Sequence, residues 1–140
     1  MITLATLPQA TAQEVFVQVS IHLLTQNKNC GITLDQSFVG EKPDLICKYR
    51  QGTLKCAAGC LISDEEYKPD MESKIWYRII ASGLAPITHK ELISELQLVH
   101  DNYKPKEWFE QLQRVASLFY LNLNSITTHE KYIDTSSTTD

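Results

Sequence analysis

Two runs of apolar side chains at helical spacing lie one after the other between residues 88 and 121, and they restrict the fold more than any other feature. This spacing places each run on one face of a helix, and that face must pack against a core. Thr88 and Glu91 have the spacing of a capping box before the first helix, and Pro105 suits the first turn of the second. The runs are Leu92, Leu96, Val99 and Tyr103, followed by Trp108, Leu112, Val115 and Phe119. The sequence therefore predicts two consecutive long helices.

Another helix is predicted near residue 11. Thr11 and Glu14 have capping-box spacing, in which the two side chains bond otherwise unpaired backbone N–H groups. The apolar stripe that follows consists of Ala12, Phe16, Val19 and Leu23. The stretch from Asn27 to Gly31 is expected to end this helix, and Gly31 can close it because glycine adopts the left-handed backbone conformation at little cost.

The segment between these helices predicts a small β-hairpin. Residues 45–49 and 54–56 are strand-like, and Gly52 between them tolerates the positive φ of a tight turn. Residues 32–43 have no clear period and are interpreted as a loop, whereas the small apolar residues 57–62 favour a short helix. Ser63 and Glu66 repeat the capping-box spacing, and residues 71–82 are compatible with a helix or a strand. The expected fold is a single compact α+β domain, mostly helical, with a small β-hairpin and about four helices.

Composition indicates one domain followed by a polar tail. The chain has 140 residues, of which 43% are hydrophobic, enough for one core that buries roughly 68% of the unfolded surface. The residues after Asn124 are rich in serine and threonine and bury too little apolar surface to offset their ordering entropy. We expect a globular domain over residues 1–124 and a disordered tail over residues 125–140.

Charge and hydropathy restrict the partners and the compartment. The formal net charge of −4 argues against nucleic-acid binding, which needs a basic stripe to displace counterions. The first residues lack a secretory pattern, and no apolar run approaches the ~18 residues of a membrane span. We therefore expect a cytoplasmic protein without membrane contact, whose cysteines stay reduced and form no structural disulfide.

Three of the four cysteines lie between residues 47 and 67, which raises a metal hypothesis. The possible ligands are Cys47, Cys56, Cys60 and His100. Structural zinc sites usually contain two closely spaced cysteine pairs, and only one such pair, Cys56 and Cys60, is present. Two small buried side chains in a core would have the same spacing. We expect no metal and no other cofactor; if a metal binds, these four residues are its ligands.

A second hypothesis is catalysis by Cys56 as nucleophile, with His100 as base and Asp101 as the group that orients it. A cysteine at a helix N-terminus near an imidazole has the residue types that thiol catalysis needs. Asp101, however, directly follows His100 on the predicted helix and should point about 100° away from it. The alternative for His100 is a hydrogen bond to a neighbouring segment, which makes it part of a packed joint.

A third hypothesis is an interaction surface for another protein. A cluster of carboxylates around Tyr67 could attract a basic partner, although such residues are more often the acidic start of a helix. The cluster comprises Asp64, Glu65, Glu66, Asp70 and Glu72. The aromatic pairs Trp76-Tyr77 and Trp108-Phe109 could each expose one ring as an interface anchor while the other supplies the core.

Three sequence blocks resemble a family of small uncharacterised proteins from bacteria and their phages. The blocks are C-K-Y-R at 47–50, L-K-C-A-A-G-C-L-I-S-D-E-E-Y at 54–67, and L-Q-L-V-H-D-N at 96–102 followed by Trp108. The family has no established activity, so the resemblance implies which residues act together and names no reaction. These residues are Cys47, Arg50, Lys55, Cys56, Gly59, Asp64, Tyr67, His100, Asp101 and Trp108.

The sequence favours a non-enzymatic protein that binds another macromolecule, because no complete catalytic set can be identified. Its expected partner is another protein. The resemblance implies an association with phages or mobile elements, in which the protein would modulate a host system. The binding residues that we predict are Arg50, Lys55, Asp64, Tyr67 and Trp108. The alternatives are a small cysteine-dependent hydrolase or transferase using Cys56 and His100, and a zinc-stabilised binding domain.

Overall fold

The computed structural model describes residues 1–33 and 45–127, and helices dominate this part of the chain. The α-helices are α1 (Ala12–Gln26), α2 (Trp76–Ala81), α3 (Lys90–Asn102), α4 (Trp108–Leu118) and α5 (Asn124–Thr127). Short 3-10 helices span Leu7–Gln9, Ala58–Leu61, Pro69–Met71 and Pro105–Glu107. The strands are β1 (Gly31–Thr33), β2 (Leu45–Cys47), β3 (Arg50–Gln51) and β4 (Leu54–Lys55). The predicted class, a mostly helical α+β domain, is confirmed.

The capping box of α1 forms as predicted, and the helix ends at the start of the predicted stretch. Thr11 Oγ1 accepts the backbone N–H of Glu14 at 3.1 Å, and Glu14 Oε1 accepts the N–H of Thr11 at 2.8 Å. The residue that closes the helix is Asn27, with φ of 52°, because asparagine also tolerates the left-handed region. The expected closure by a left-handed Gly31 is wrong, since Gly31 begins β1.

The strands pair differently from the predicted hairpin. β2 pairs antiparallel with β1, with Gly31 opposite Cys47, and the second ladder joins β3 to β4 with Arg50 opposite Lys55. The turn at Gly52 is where the sequence placed it, with φ of +62°. The pairing of residues 45–49 with 54–56 was wrong, because β2 finds its partner across a long stretch of chain. Most of the predicted loop at 32–43 lies outside the described residues.

Two of the three capping-box patterns do not start a helix. Ser63 and Glu66 exchange the expected hydrogen bonds, at 3.0 and 3.2 Å, but they enclose a single turn. The pattern at Thr88 is not used, since α3 begins from His89, which has φ of 57° and no side-chain cap. His89 Nε2 donates to the carbonyl oxygen of Ala10 at 2.7 Å, so this side chain makes a tertiary contact and does not cap the helix.

Helices α1, α3 and α4 pack against one another and form the core. The predicted apolar stripes face this core, and most of their members are at most 2% exposed. The buried members are Phe16, Val19, Leu23, Leu92, Leu96, Val99, Trp108, Leu112 and Val115. The stripe ends Ala12, Tyr103 and Phe119 are only partly buried against it. None of the described helices has the length and apolar character needed to cross a membrane.

The folded part of the chain continues past the predicted domain boundary at residue 124. α5 packs on α1, and Ile126 within it is fully buried. A single isoleucine is enough to hold one more helical turn on the core, which the serine- and threonine-rich composition concealed. Residues 125–127 therefore do not belong to the predicted tail, and the remainder of that tail lies outside the described residues.

Gly59 is required by a close approach of two backbone segments. A Cβ atom at this position would overlap the carbonyl oxygen of Tyr49 and press on Cys56 Sγ. We predict that Gly59→Ala lowers the free energy of unfolding by about 1 to 3 kcal/mol, as overpacking does. Urea unfolding followed by circular dichroism measures this change.

Gly52→Asn is the matched control for that variant. No atom lies within 4 Å of a Cβ at Gly52, and asparagine tolerates its positive φ. Its effect should stay within about 0.5 kcal/mol. Equal unfolding midpoints for Gly59→Ala and the wild type would contradict the close approach.

Candidate functional site

His100 lies at the centre of a buried polar junction. Its side chain is fully buried near the end of α3, and its ring stacks on Trp108 with 5.7 Å between ring centroids. Nε2 accepts the backbone N–H of Cys30 at 2.8 Å, so the ring hydrogen must be on Nδ1. Nδ1 donates this hydrogen to Asp101 Oδ1, also at 2.8 Å. Both ring nitrogens are therefore already occupied by protein groups.

Asp101 contacts His100 directly, contrary to the expectation that the two side chains diverge. Adjacent helical residues are separated by about 100°, but the imidazole is long enough to bridge that separation. Asp101 Oδ1 also accepts Gln97 Nε2 at 2.8 Å, and the Cys47 thiol bonds the same carboxylate. The carboxylate thus collects three donors, which disperses its negative charge.

The junction connects α3 to two segments distant in sequence. Gln97 Oε1 accepts the backbone N–H of Ala58 at 2.9 Å, which ties the 3-10 helix Ala58–Leu61 to α3. Asn29 Nδ2 donates to the carbonyl oxygen of His100 at 2.7 Å, beside the bond from Cys30. These side chains supply the buried backbone groups with partners, as a packed joint requires.

Cys56 does not have the environment of an activated nucleophile. It is fully buried, and its sulfur accepts the backbone N–H of Gly59 at 3.3 Å. Burial raises the pKa of this thiol well above its ordinary value, so the reactive thiolate is disfavoured. His100 cannot act as its base in this arrangement, because the lone pair on Nε2 accepts from Cys30. The geometry therefore weighs against the cysteine-dependent enzyme.

One group of three potential metal ligands lies together among the described residues: Cys47, His100 and Asp101, with ligand atoms within 4.8 Å of one another. Cys56 and Cys60 of the predicted ligand set are not in this group. A metal at Nδ1 would move the ring hydrogen to Nε2, where it would face the N–H of Cys30. Metal-bound histidines instead donate their second N–H to an acceptor. The three potential ligands thus lie together, but the backbone N–H of Cys30 favours the His100 tautomer with hydrogen on Nδ1, which cannot bind a metal through that nitrogen.

Three of the predicted binding residues, Arg50, Asp64 and Tyr67, come together beside the β3–β4 hairpin. Arg50 Nη1 bonds Asp64 Oδ1 at 2.7 Å, and its guanidinium carbon lies 4.9 Å from the Tyr67 ring centroid. The Tyr67 hydroxyl donates to Glu72 Oε2 at 2.6 Å, and this hydrogen bond, together with burial, raises the tyrosine pKa to about 12. Glu72 also accepts the backbone N–H groups of Tyr49 and Arg50. This cluster links the hairpin to residues 62–72.

The other two predicted binding residues lie elsewhere. Trp108 is fully buried and donates its indole N–H to the carbonyl oxygen of Tyr103 at 3.0 Å, so it belongs to the core. The backbone of Lys55 bonds Gln26 and His22 of α1. Lys55 and Cys60 line a cavity of about 500 Å³ beside α1, and His100 is not among its lining residues.

Two of the five predicted acidic side chains, Glu66 and Glu72, bind backbone N–H groups, whereas Asp64, Glu65 and Asp70 are exposed. The Glu66 carboxylate accepts the backbone N–H groups of Leu4, Ala5 and Ser63 at 2.8 to 3.0 Å. Glu72 and Asp64 are bonded as described above. The cluster therefore fastens the N-terminal segment and the hairpin to residues 62–72, and fewer of its charges remain to attract a basic partner.

A cleft of about 390 Å³ lies between residues 47–49, the start of α2 and α3. Cys47, Gln97 and Asp101 of the polar junction line it. Its apolar lining includes Ile75, Tyr77 and Leu98, which are 69%, 44% and 43% exposed.

The sequence contained a partial signal for this cleft in the Trp76-Tyr77 pair. Trp76 is buried at 2% exposure while Tyr77 is exposed, as that pattern suggested. The second pair is less clear, because Trp108 is buried and Phe109 is only partly buried. Leu98 carried no signal, since an exposed leucine on an otherwise amphipathic helix is common.

Comparisons with protein-family models, curated proteins and solved structures find no match for this chain. The resemblance of the three sequence blocks to small bacterial and phage proteins therefore stays a prediction. The candidate site has to be interpreted from its own geometry.

The junction predicts a specific loss of stability for His100→Ala. This change leaves the N–H of Cys30 without an acceptor and removes packing against Trp108. We expect the free energy of unfolding to fall by about 2 to 4 kcal/mol. Asn102→Ala, at an exposed position of α3, is the control and should change it by less than about 0.5 kcal/mol. Equal losses in the two variants would contradict the role of the junction.

The thiols of the folded protein should react slowly. Burial raises the pKa of Cys30 to about 11 and those of Cys47 and Cys60 to about 12, and that of Cys56 is also raised. At pH 8 we expect iodoacetamide to alkylate all four at least about tenfold more slowly than in urea, because the thiolate is the reactive form. Mass spectrometry over time measures the rates. A thiol that reacts equally fast in the folded protein would support the cysteine-dependent enzyme instead.

Proposed function

We propose that this protein binds a partner protein, and that a segment of the partner docks into the cleft. This cleft lies between three parts of the chain: residues 47–49, the start of α2, and α3. The main support is the concentration of exposed apolar side chains at that cleft. Seven large apolar residues among those described are more than 40% exposed, and three of them line it. Contiguous exposed apolar surface around a concavity is typical of interaction sites.

The hydrogen bonding of the polar residues that line the cleft fits a binding site better than a catalytic site. Among the polar groups that line the cleft, Cys47, Gln97 and Asp101 bond to one another or to His100 and Ala58. A general base needs a free lone pair and a nucleophile needs an accessible thiolate. These three groups are already bonded within the protein, whereas Ile75, Tyr77 and Leu98 offer apolar contact.

The setting of this function remains a hypothesis. The proposal that the protein is cytoplasmic follows from its sequence composition, and the association with phages or mobile elements follows from the motif resemblance alone. Modulation of a host system would fit a small binding protein without catalytic groups. The test below depends on neither.

Leu98→Asp should abolish partner binding without unfolding the protein, because a carboxylate in the apolar wall must be desolvated when a partner docks. The immobilised wild-type chain, Leu98→Asp and Ile75→Asp are compared by affinity capture from a lysate of the source organism. We expect at least one protein that the wild type retains to be lost, by about tenfold or more, with both variants.

Leu118→Asp is the matched control. Leu118 is 56% exposed on α4 and does not line the cleft. The same change at this position should leave the captured protein unaffected. If all four chains retain the same proteins in the same amounts, the cleft is not the docking site.

A further inference from the structure

The charges around the cleft are unusual for an acidic protein. Lys48 and Lys74 line the cleft, and Lys90 Nζ lies 4.6 Å from the ring centroid of Tyr77 in its wall. Asp101 is the single carboxylate among the lining residues. It accepts hydrogen bonds from His100, Gln97 and the Cys47 thiol, so it is already engaged within the protein. Among the described residues, the cleft lining thus carries two ammonium groups and one engaged carboxylate, on a chain with a formal net charge of −4.

The two lysines have no carboxylate partner within the described part of the chain. The ion pairs found there are Arg50–Asp64, His100–Asp101 and Arg114–Glu95. Lys74 Nζ donates to the backbone carbonyl of Asp70 at 2.7 Å, which positions the ammonium without neutralising it. Both cations can therefore meet carboxylates brought by a partner.

We propose that the docked segment is an acidic, apolar peptide: a large apolar side chain packs against Ile75, Tyr77 and Leu98, and flanking carboxylates pair with Lys48 and Lys74. This inference rests on the proposed function, because it specifies the chemistry of the same partner. Nucleic acid also carries negative charge, but its phosphates would not use the apolar walls, and its binding would require a longer basic track.

Selection from a random-peptide display library on the immobilised full chain tests the composition of the segment. Peptides are kept when they bind the wild type and Leu118→Asp but not Leu98→Asp. We expect the selected peptides to combine Asp or Glu with Leu, Ile, Phe, Tyr or Trp. A synthetic copy should bind at least about fivefold more weakly to Lys48→Glu/Lys74→Glu and at high salt.

The outcomes separate the two proposals. If no peptide depends on Leu98, the docking function itself is overturned. If Leu98-dependent peptides are neutral or basic, or if single-stranded DNA competes equally well, docking stands and the acidic-partner inference is overturned.

Discussion

The hydrogen bond from the backbone N–H of Cys30 to Nε2 of His100 determines how the surrounding polar groups are arranged. A backbone amide can only donate, so it requires Nε2 to accept and places the ring hydrogen on Nδ1. That hydrogen then bonds Asp101, whose carboxylate also accepts from Gln97 and Cys47. Because the junction is buried, each unmade bond would cost about 1 to 3 kcal/mol. One fixed donor thus sets the orientation of several side chains.

This junction also explains why Cys47, Gln97 and Asp101, which line the cleft, are already hydrogen-bonded within the protein. Gln97 and Asp101 project from α3 into the cleft lining, and Cys47 reaches the same place from the end of β2. Their hydrogen bonds are directed at one another and at Ala58, so they hold α3 against the Ala58–Leu61 turn. The residues that would suggest a thiol enzyme or a metal centre in the sequence serve instead to connect segments. Fully satisfied polar networks of this kind rigidify a structure.

The acidic side chains and the lysines beside the cleft differ in whether they have partners within the protein. Glu66 and Glu72 bind backbone N–H groups, and Asp64 pairs with Arg50, so acidic side chains that appear as a surface in the sequence hold the chain together. Lys48 and Lys74 remain beside the cleft without carboxylate partners among the described residues. Among the described residues, two lysines and one carboxylate therefore line the cleft, although the formal net charge of the chain is −4.

By itself, the sequence determined the features that depend on residues a few positions apart. The stripes of α1, α3 and α4, the capping box at Thr11 and the turn at Gly52 all follow from local periodicity and backbone preference. The tertiary structure alone decided that β2 pairs with β1. It also decided that α3 begins from His89, whose side chain bonds the carbonyl oxygen of Ala10. Likewise, His100 meets the backbone of Cys30 and not the thiol of Cys56. Such contacts join segments far apart in the chain, and their formation depends on how the helices pack, which spacing along one segment does not encode.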